Sequence, residues 1–159
     1  MKGDEKLIKV LNELLADELT AISQYMVHSE MCDNWGYAKL HEHIEKQALD
    51  EMHHAEWLIG RILFLEGLPI VSKLREMKIG KTVQEMLTND QQGELAAIRA
   101  YNEGIALASQ VGDESTADLL VTILKMEEGH HDWAQKQRLQ IEQMGLGVYL
   151  SNQTGEDGG

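Results

Sequence analysis

The chain repeats itself, and the repeated residues are mostly polar ones placed where apolar ones belong. Asp17-Glu18-Leu19-Thr20-Ala21-Ile22-Ser23-Gln24-Tyr25 aligns with Gly93-Glu94-Leu95-Ala96-Ala97-Ile98-Arg99-Ala100-Tyr101, with Glu, Leu, Ala, Ile and Tyr identical. The same offset (94 − 18 = 76) pairs Glu51 with Glu127, His54 with His130 and Trp57 with Trp133. Both acid-to-acid spacings are 33 (51 − 18 and 127 − 94), so one offset serves two separate segments. Such agreement reads as two copies of one structural unit.

The unit is a helical hairpin. Glycines at 36, 67, 112 and 145 divide the chain into segments of roughly 5–34, 39–66, 83–110 and 115–144. Each has apolar residues at helical spacing: Leu7, Leu11, Leu14, Ile22 and Tyr25; Leu40, Ile44, Leu58 and Ile62; Val83, Leu87, Ile98, Tyr101 and Ile105; Leu120, Ile123 and Ala134. Pro69 is the only proline, which suits long unbroken helices and argues against a loop-rich β fold. Helices of this length, about 42–45 Å, with one apolar face are expected to form a bundle. The breaks at Gly36 and Gly112 are short, so the flanking helices should be antiparallel neighbours. Gly67 to Thr82 holds the proline, and fully extended it could reach ~53 Å, enough to run the length of the bundle. The expected fold is therefore all-α: a four-helix bundle over 1–145 with one long crossover from helix 2 to helix 3, the ferritin-like arrangement. Residues 146–159 are expected to form a short fifth helix, from Leu146 to Leu150, and a disordered tail from Ser151.

Within this frame Glu18 falls between Leu14 and Ile22, and Glu51 and His54 between Ile44 and Leu58. Glu94 falls between Leu87 and Ile98, and Glu127 and His130 between Ile123 and Ala134. All lie near the helix midpoints, so they share one depth whichever way each helix runs. Four buried carboxylates need cations, and no stripe supplies Lys or Arg. One Glu from each of two helices plus Glu-x-x-His from each of the other two is the pattern of di-iron and di-manganese carboxylate sites. Carboxylate and imidazole suit Fe(II) and Mn(II), and residues i and i+3 share a helix face, so Glu51 and His54 can serve one site. Two metals bridged by Glu51 and Glu127 would leave positions open for O2 or peroxide.

Composition narrows the partners. With 27 acidic and 14 basic residues the formal charge is −13, which argues against nucleic acid and permits a cation. Cys32 is the only cysteine, so no intrachain disulfide or thiolate cluster can form, and a reducing compartment is expected. No signal-peptide h-region or membrane-length apolar run is evident, so the expected location is cytoplasmic.

Two further positions carry open readings. Tyr25 and Tyr101 lie two turns beyond Glu18 and Glu94; each could hydrogen-bond a ligand, give up an electron, or simply pack. Met52, whose counterpart is Glu128, faces about 100° away from Glu51. With Leu49 it suggests a subunit interface, and a thioether can also ligate haem iron. Asp50, His53, Glu128 and His131 flank the ligands and are expected to point elsewhere.

The sequence resembles the bacterioferritins over nearly its whole length. The resemblance rests on Met1-Lys2-Gly3-Asp4, Asn34-Trp35-Gly36, Asp50-Glu51-Met52, Arg61-Ile62-Leu63-Phe64-Leu65-Glu66-Gly67-Leu68-Pro69, Glu127-Glu128-Gly129-His130 and Met144-Gly145-Leu146. It implies an iron-storing shell of 24 subunits with a ferroxidase centre in each bundle, using O2 or H2O2 and holding two non-haem irons. Glu18 and His54 would be terminal ligands of one iron and Glu94 and His130 of the other, with Glu51 and Glu127 bridging. It also implies haem b shared between two subunits through Met52, and a ferredoxin-type electron donor for iron release. Glu45 and Lys46 stand where some members carry Tyr and His. That His belongs to an inner-surface iron site with Asp50, so the resemblance does not carry that site over.

Rival readings follow from the same residues. A rubrerythrin-type peroxidase usually carries a cysteine module that one cysteine cannot supply. A DNA-protecting mini-ferritin binds iron between subunits and often has a basic tail, whereas this tail is acidic. A haem-free ferritin differs only in lacking a role for Met52.

Overall fold

A computed structural model describes residues 1–155 of the chain. It contains five helices: α1 (Glu5–Asn34), α2 (Ala38–Phe64), α3 (Val83–Gln110), α4 (Glu114–Met144) and α5 (Leu146–Ser151). The starts are chemically marked. Asp4 accepts from the Leu7 N–H at 3.0 Å, Thr82 from Glu85 at 3.2 Å and Asp113 from Thr116 at 3.0 Å, each satisfying a backbone donor that the first helical turn leaves free. Gly36 and Gly112 take φ of +83° and +78°, the left-handed conformation that lets two helices turn back within three residues. α1 thus packs along α2, and α3 along α4.

α2 stops at Phe64, two residues short of the expected boundary. The Gly67 N–H closes a turn on the Ile62 carbonyl at 2.9 Å. A Cβ on Gly67 would meet Ile8 Cγ2 at 2.8 Å, so the chain leaves the helix where only glycine fits against α1.

The crossover, residues 65–82, has little regular structure, so its backbone must find partners elsewhere. It finds several on α1, in order along the helix. The Asn12 side chain bonds the Leu68 carbonyl and the Ile70 N–H (3.1 and 2.8 Å). Thr20 accepts from Arg75, Gln24 from Lys78 and His28 from Gly80, at 2.8, 2.9 and 2.9 Å. Lys73 and Arg75 add ion pairs to Glu13 and Asp17. The connection is laid against α1 rung by rung.

Two apolar clusters fill the bundle. One gathers Leu7, Leu11, Leu14, Leu58, Ile62, Leu120 and Ile123; the other Tyr25, Leu40, Ile44, Leu87 and Tyr149. α5 closes the second by inserting Tyr149, whose hydroxyl donates to Gln137 at 2.8 Å. After α5, residues 152–155 return towards α2, where the Lys39 N–H donates to the Gln153 carbonyl at 3.0 Å. The rest of the expected disordered tail, 156–159, lies outside the described residues. No helix among the described residues is long and apolar enough to cross a membrane.

Candidate metal centre

Between the two apolar clusters every long helix turns a polar side chain inward. Glu18 (α1), Glu51 and His54 (α2), Glu94 (α3) and Glu127 and His130 (α4) are all buried, His130 the least at 8% exposure. Their ligand atoms form two groups that share two members. Glu18, Glu51, His54 and Glu127 make one, and Glu51, Glu94, Glu127 and His130 the other. The structure thus brings together all six residues that the sequence pattern selects, with Glu51 and Glu127 common to both groups.

The atoms are near one another but do not satisfy one another. His54 Nδ1 lies 2.9 Å from Glu127, 3.5 Å from Glu18 and 3.6 Å from Glu51. His130 Nδ1 lies 2.9 Å from Glu51 and 3.5 Å from Glu94. Yet Glu18 Oε2, Glu51 Oε1, His54 Nδ1, Glu94 Oε2, Glu127 Oε1 and His130 Nδ1 are buried without a hydrogen-bond partner. Orphaned buried polar atoms are costly and rare. Six converging in one place, with no Lys or Arg paired to the four glutamates among the described residues, fit a pair of cations.

The histidine tautomers follow from what lies behind each ring. His130 Nε2 faces Asp50 Oδ2 at 3.0 Å, and His54 Nε2 faces the Met126 sulfur at 3.2 Å. A carboxylate and a thioether can only accept, so both Nε2 atoms carry a proton and both Nδ1 atoms face the cluster, where a metal would take the place of any proton on them. Asp50 therefore does not point elsewhere, as the sequence suggested. It reaches across from α2 to α4. His53 and Glu128 are exposed, as expected.

The tyrosines cross over in the same way. Tyr25 of α1 donates to Glu94 of α3, and Tyr101 of α3 donates to Glu18 of α1 at 2.5 Å. Burial pushes both phenols well above their usual pKa, with the neighbouring carboxylates adding to the shift, so both remain donors. The carboxylates cannot all ionise together. Burial and then the other glutamates raise Glu51 and Glu127 well above the normal carboxylate range. Burial also acts on Glu94, but Glu127 and His130 beside it hold its pKa below the usual value. Burial opposes charge on His54; Glu127 and Glu18 outweigh it and lift its pKa to about 9. Without metal, protons occupy the cluster.

A cavity of about 280 Å³ connects the cluster to the α1–α3 side, where the crossover's Arg75 and Lys78 line it. Glu18, Glu51, Glu94, Glu127 and Tyr25 form its inner wall; Tyr101 does not. A second buried pair that sequence reasoning missed stands nearby. His28 Nε2 accepts from the Gly80 N–H, so its Nδ1 carries the proton and donates to Asp90 at 2.9 Å. Asp90 lies one turn before Glu94, and that inward register was the available signal.

Met52 lies outside all of this. It is 40% exposed on α2, with Leu49 at 49%, and Met26 on α1 at 53%. An exposed thioether of this kind could hold the iron of a haem outside the bundle.

Residues 8–144 match the family model described as a ferritin-like domain. The bacterioferritin of Mycolicibacterium paratuberculosis is 39% identical, over 94% of each chain. That of Streptomyces coelicolor is 40% identical, over 95% of this chain and 90% of its own. This chain belongs to the bacterioferritin family. The bacterial ferritin of Synechocystis sp. is also similar, 42% identical over 96% of this chain and 99% of its own. A bacterioferritin-family chain with a buried carboxylate–imidazole cluster of this form is capable of holding two metal ions.

Proposed function

We propose that the protein is a ferroxidase subunit of an iron-storage shell. The observation that carries this reading is the set of six orphaned ligand atoms in two groups sharing Glu51 and Glu127. Fe(II) is the substrate. One ion is held by Glu18 and His54 and the other by Glu94 and His130, with Glu51 and Glu127 between them. Each Fe(II) gives up one electron, so a pair supplies the two that convert O2 to H2O2, or H2O2 to water, with two protons. Binding releases protons from Glu51, Glu127 and His54, because the metal replaces them as the positive partner. Tyr25 and Tyr101 hold Glu94 and Glu18 in place by each donating to one carboxylate oxygen, which leaves the other, orphaned oxygen of each glutamate available to a metal. Tyr25 also faces the cavity, where it could hydrogen-bond an incoming oxidant or give up an electron.

The wider reading is a cytoplasmic shell of 24 copies, whose acidic interior attracts Fe(II) and helps nucleate ferric mineral. Met52 from each of two subunits would hold haem b between them. Haem, when bound, supplies a one-electron carrier for iron release, with a ferredoxin-type protein as donor.

Sizing the purified protein and recording absorbance while Fe(II) and then oxidant are added tests this reading. A large assembly that oxidises two Fe(II) per subunit rapidly is expected. A small monomer with only the background oxidation rate would sink it. An active shell lacking haem absorbance would indicate a haem-free ferritin instead.

A further inference from the structure

The two histidines of the cluster are backed by different chemistry, and the internal repeat shows which is the exception. The offset that pairs Glu51 with Glu127 and His54 with His130 also pairs Asp50 with Met126 (126 − 50 = 76). Each supports the histidine of the other copy: Asp50 Oδ2 lies 3.0 Å from His130 Nε2, and Met126 Sδ lies 3.2 Å from His54 Nε2. Full symmetry would place an acid at 126, and a methionine stands there.

We propose that this replacement makes the two metal positions unequal. The Glu94–His130 position is the tighter and fills first, and the Glu18–His54 position is the weaker and exchanges first. This rests on the paired-metal reading above. A carboxylate that accepts a histidine's outer N–H raises the basicity of the nitrogen facing the metal and adds negative charge near the ion. A thioether is a weak, neutral acceptor and does neither. The direct hydrogen-bond supports of the two outer glutamates are matched. Tyr25 donates to Glu94 as Tyr101 donates to Glu18. Asp17, whose counterpart is Gly93, is tied to Arg75 at 2.9 Å, so its extra charge is offset. Met126 and Asp50 are both partly exposed, so position 126 can accept a polar group without burying it.

Repulsion between two neighbouring cations separates their binding steps even in a symmetric site. The decisive measurement is therefore which position fills first. The probe is Co(II), added without oxygen to the metal-free assembled protein and followed by visible absorbance and calorimetry. His54→Ala should keep the first-step affinity within about threefold, while His130→Ala should weaken it by about 10- to 100-fold. Met126→Asp should erase that difference, so that the two histidine variants made in its background bind alike. Met126→Gln, a neutral acceptor of similar size, should recover part of the gap and serves if the Asp variant does not fold. Equal weakening by the two histidine changes, with no effect of position 126, overturns the inequality and leaves the paired-metal reading standing. No cobalt bound at the cluster overturns both.

Discussion

The α1–α2 hairpin and the α3–α4 hairpin each contribute two glutamates and a histidine to the centre, and they part company a fraction of a helical turn away. Glu18, Glu51 and His54 answer Glu94, Glu127 and His130, and even the tyrosine supports are exchanged between the copies. Outside that set some positions still match, as Trp57 and Trp133 do, but others diverge. Exposed Met52 answers exposed Glu128, and Asp50 answers Met126. The crossover is laid along α1, and its rungs are Asn12, Thr20, Gln24 and His28. The lesson concerns constraint. Side chains facing the cluster answer to four buried acids that must be neutralised together, whereas those about 100° further round the helix answer to whatever lies there.

The comparison is broken most severely by removing one glutamate from either copy. Glu18→Ala and Glu94→Ala should each lower the rate of Fe(II) oxidation by about 100-fold or more, since losing a ligand costs at least as much as losing a group that supports one. Stopped-flow absorbance of the ferric product measures this, and sizing should show the assembly unchanged. If one copy tolerates the change, two-electron oxidation by a metal pair is wrong.

Next comes the asymmetry on the outside. Met52→Leu should remove the haem spectrum and leave iron oxidation as it was, while Glu128→Leu at the matching place should change neither. A persistent haem band in the Met52 variant would reassign the ligand.

A smaller effect concerns pH. Glu51 and Glu127 have folded pKa values above 4.5, and His54 has one of about 9 against 6.5. All three folded-state shifts are upward, so each contribution is full below the unfolded value and is lost as pH rises through the folded one. The metal-free protein should therefore lose stability from pH 6.5 to about 9, with the melting midpoint falling by on the order of 5 °C. Co(II) or Zn(II) should flatten that slope, because the ion replaces the protons. Calorimetric melting with and without metal decides it, and a metal-free midpoint that rises over this range contradicts the assignment.

The mildest test separates the tyrosines. Tyr25→Phe and Tyr101→Phe should cost similar stability, about 1.5–3 kcal/mol for a hydrogen bond to a charged group. Only Tyr25 lines the cavity, so only its loss should slow oxidation, by several-fold. Denaturant unfolding and stopped-flow rates on both variants provide the comparison, and equal slowing would remove any special role for Tyr25.

Sequence alone determined the helices, the topology and the six inward residues. Each leaves a local periodic trace: apolar stripes at helical spacing, one long connection holding Pro69, and an offset repeated by Glu18, Glu51 and His54. Tertiary structure alone decided the pairings across helices. Asp50 lies next to Glu51 in sequence yet serves His130 on another helix, and His28 joins Asp90 and Gly80 from two distant segments. No spacing along one chain encodes such contacts, because they depend on how far and at what angle one helix approaches the next. The repeat could say that position 126 departs from position 50. Only the packed bundle shows that a histidine lies behind each of them.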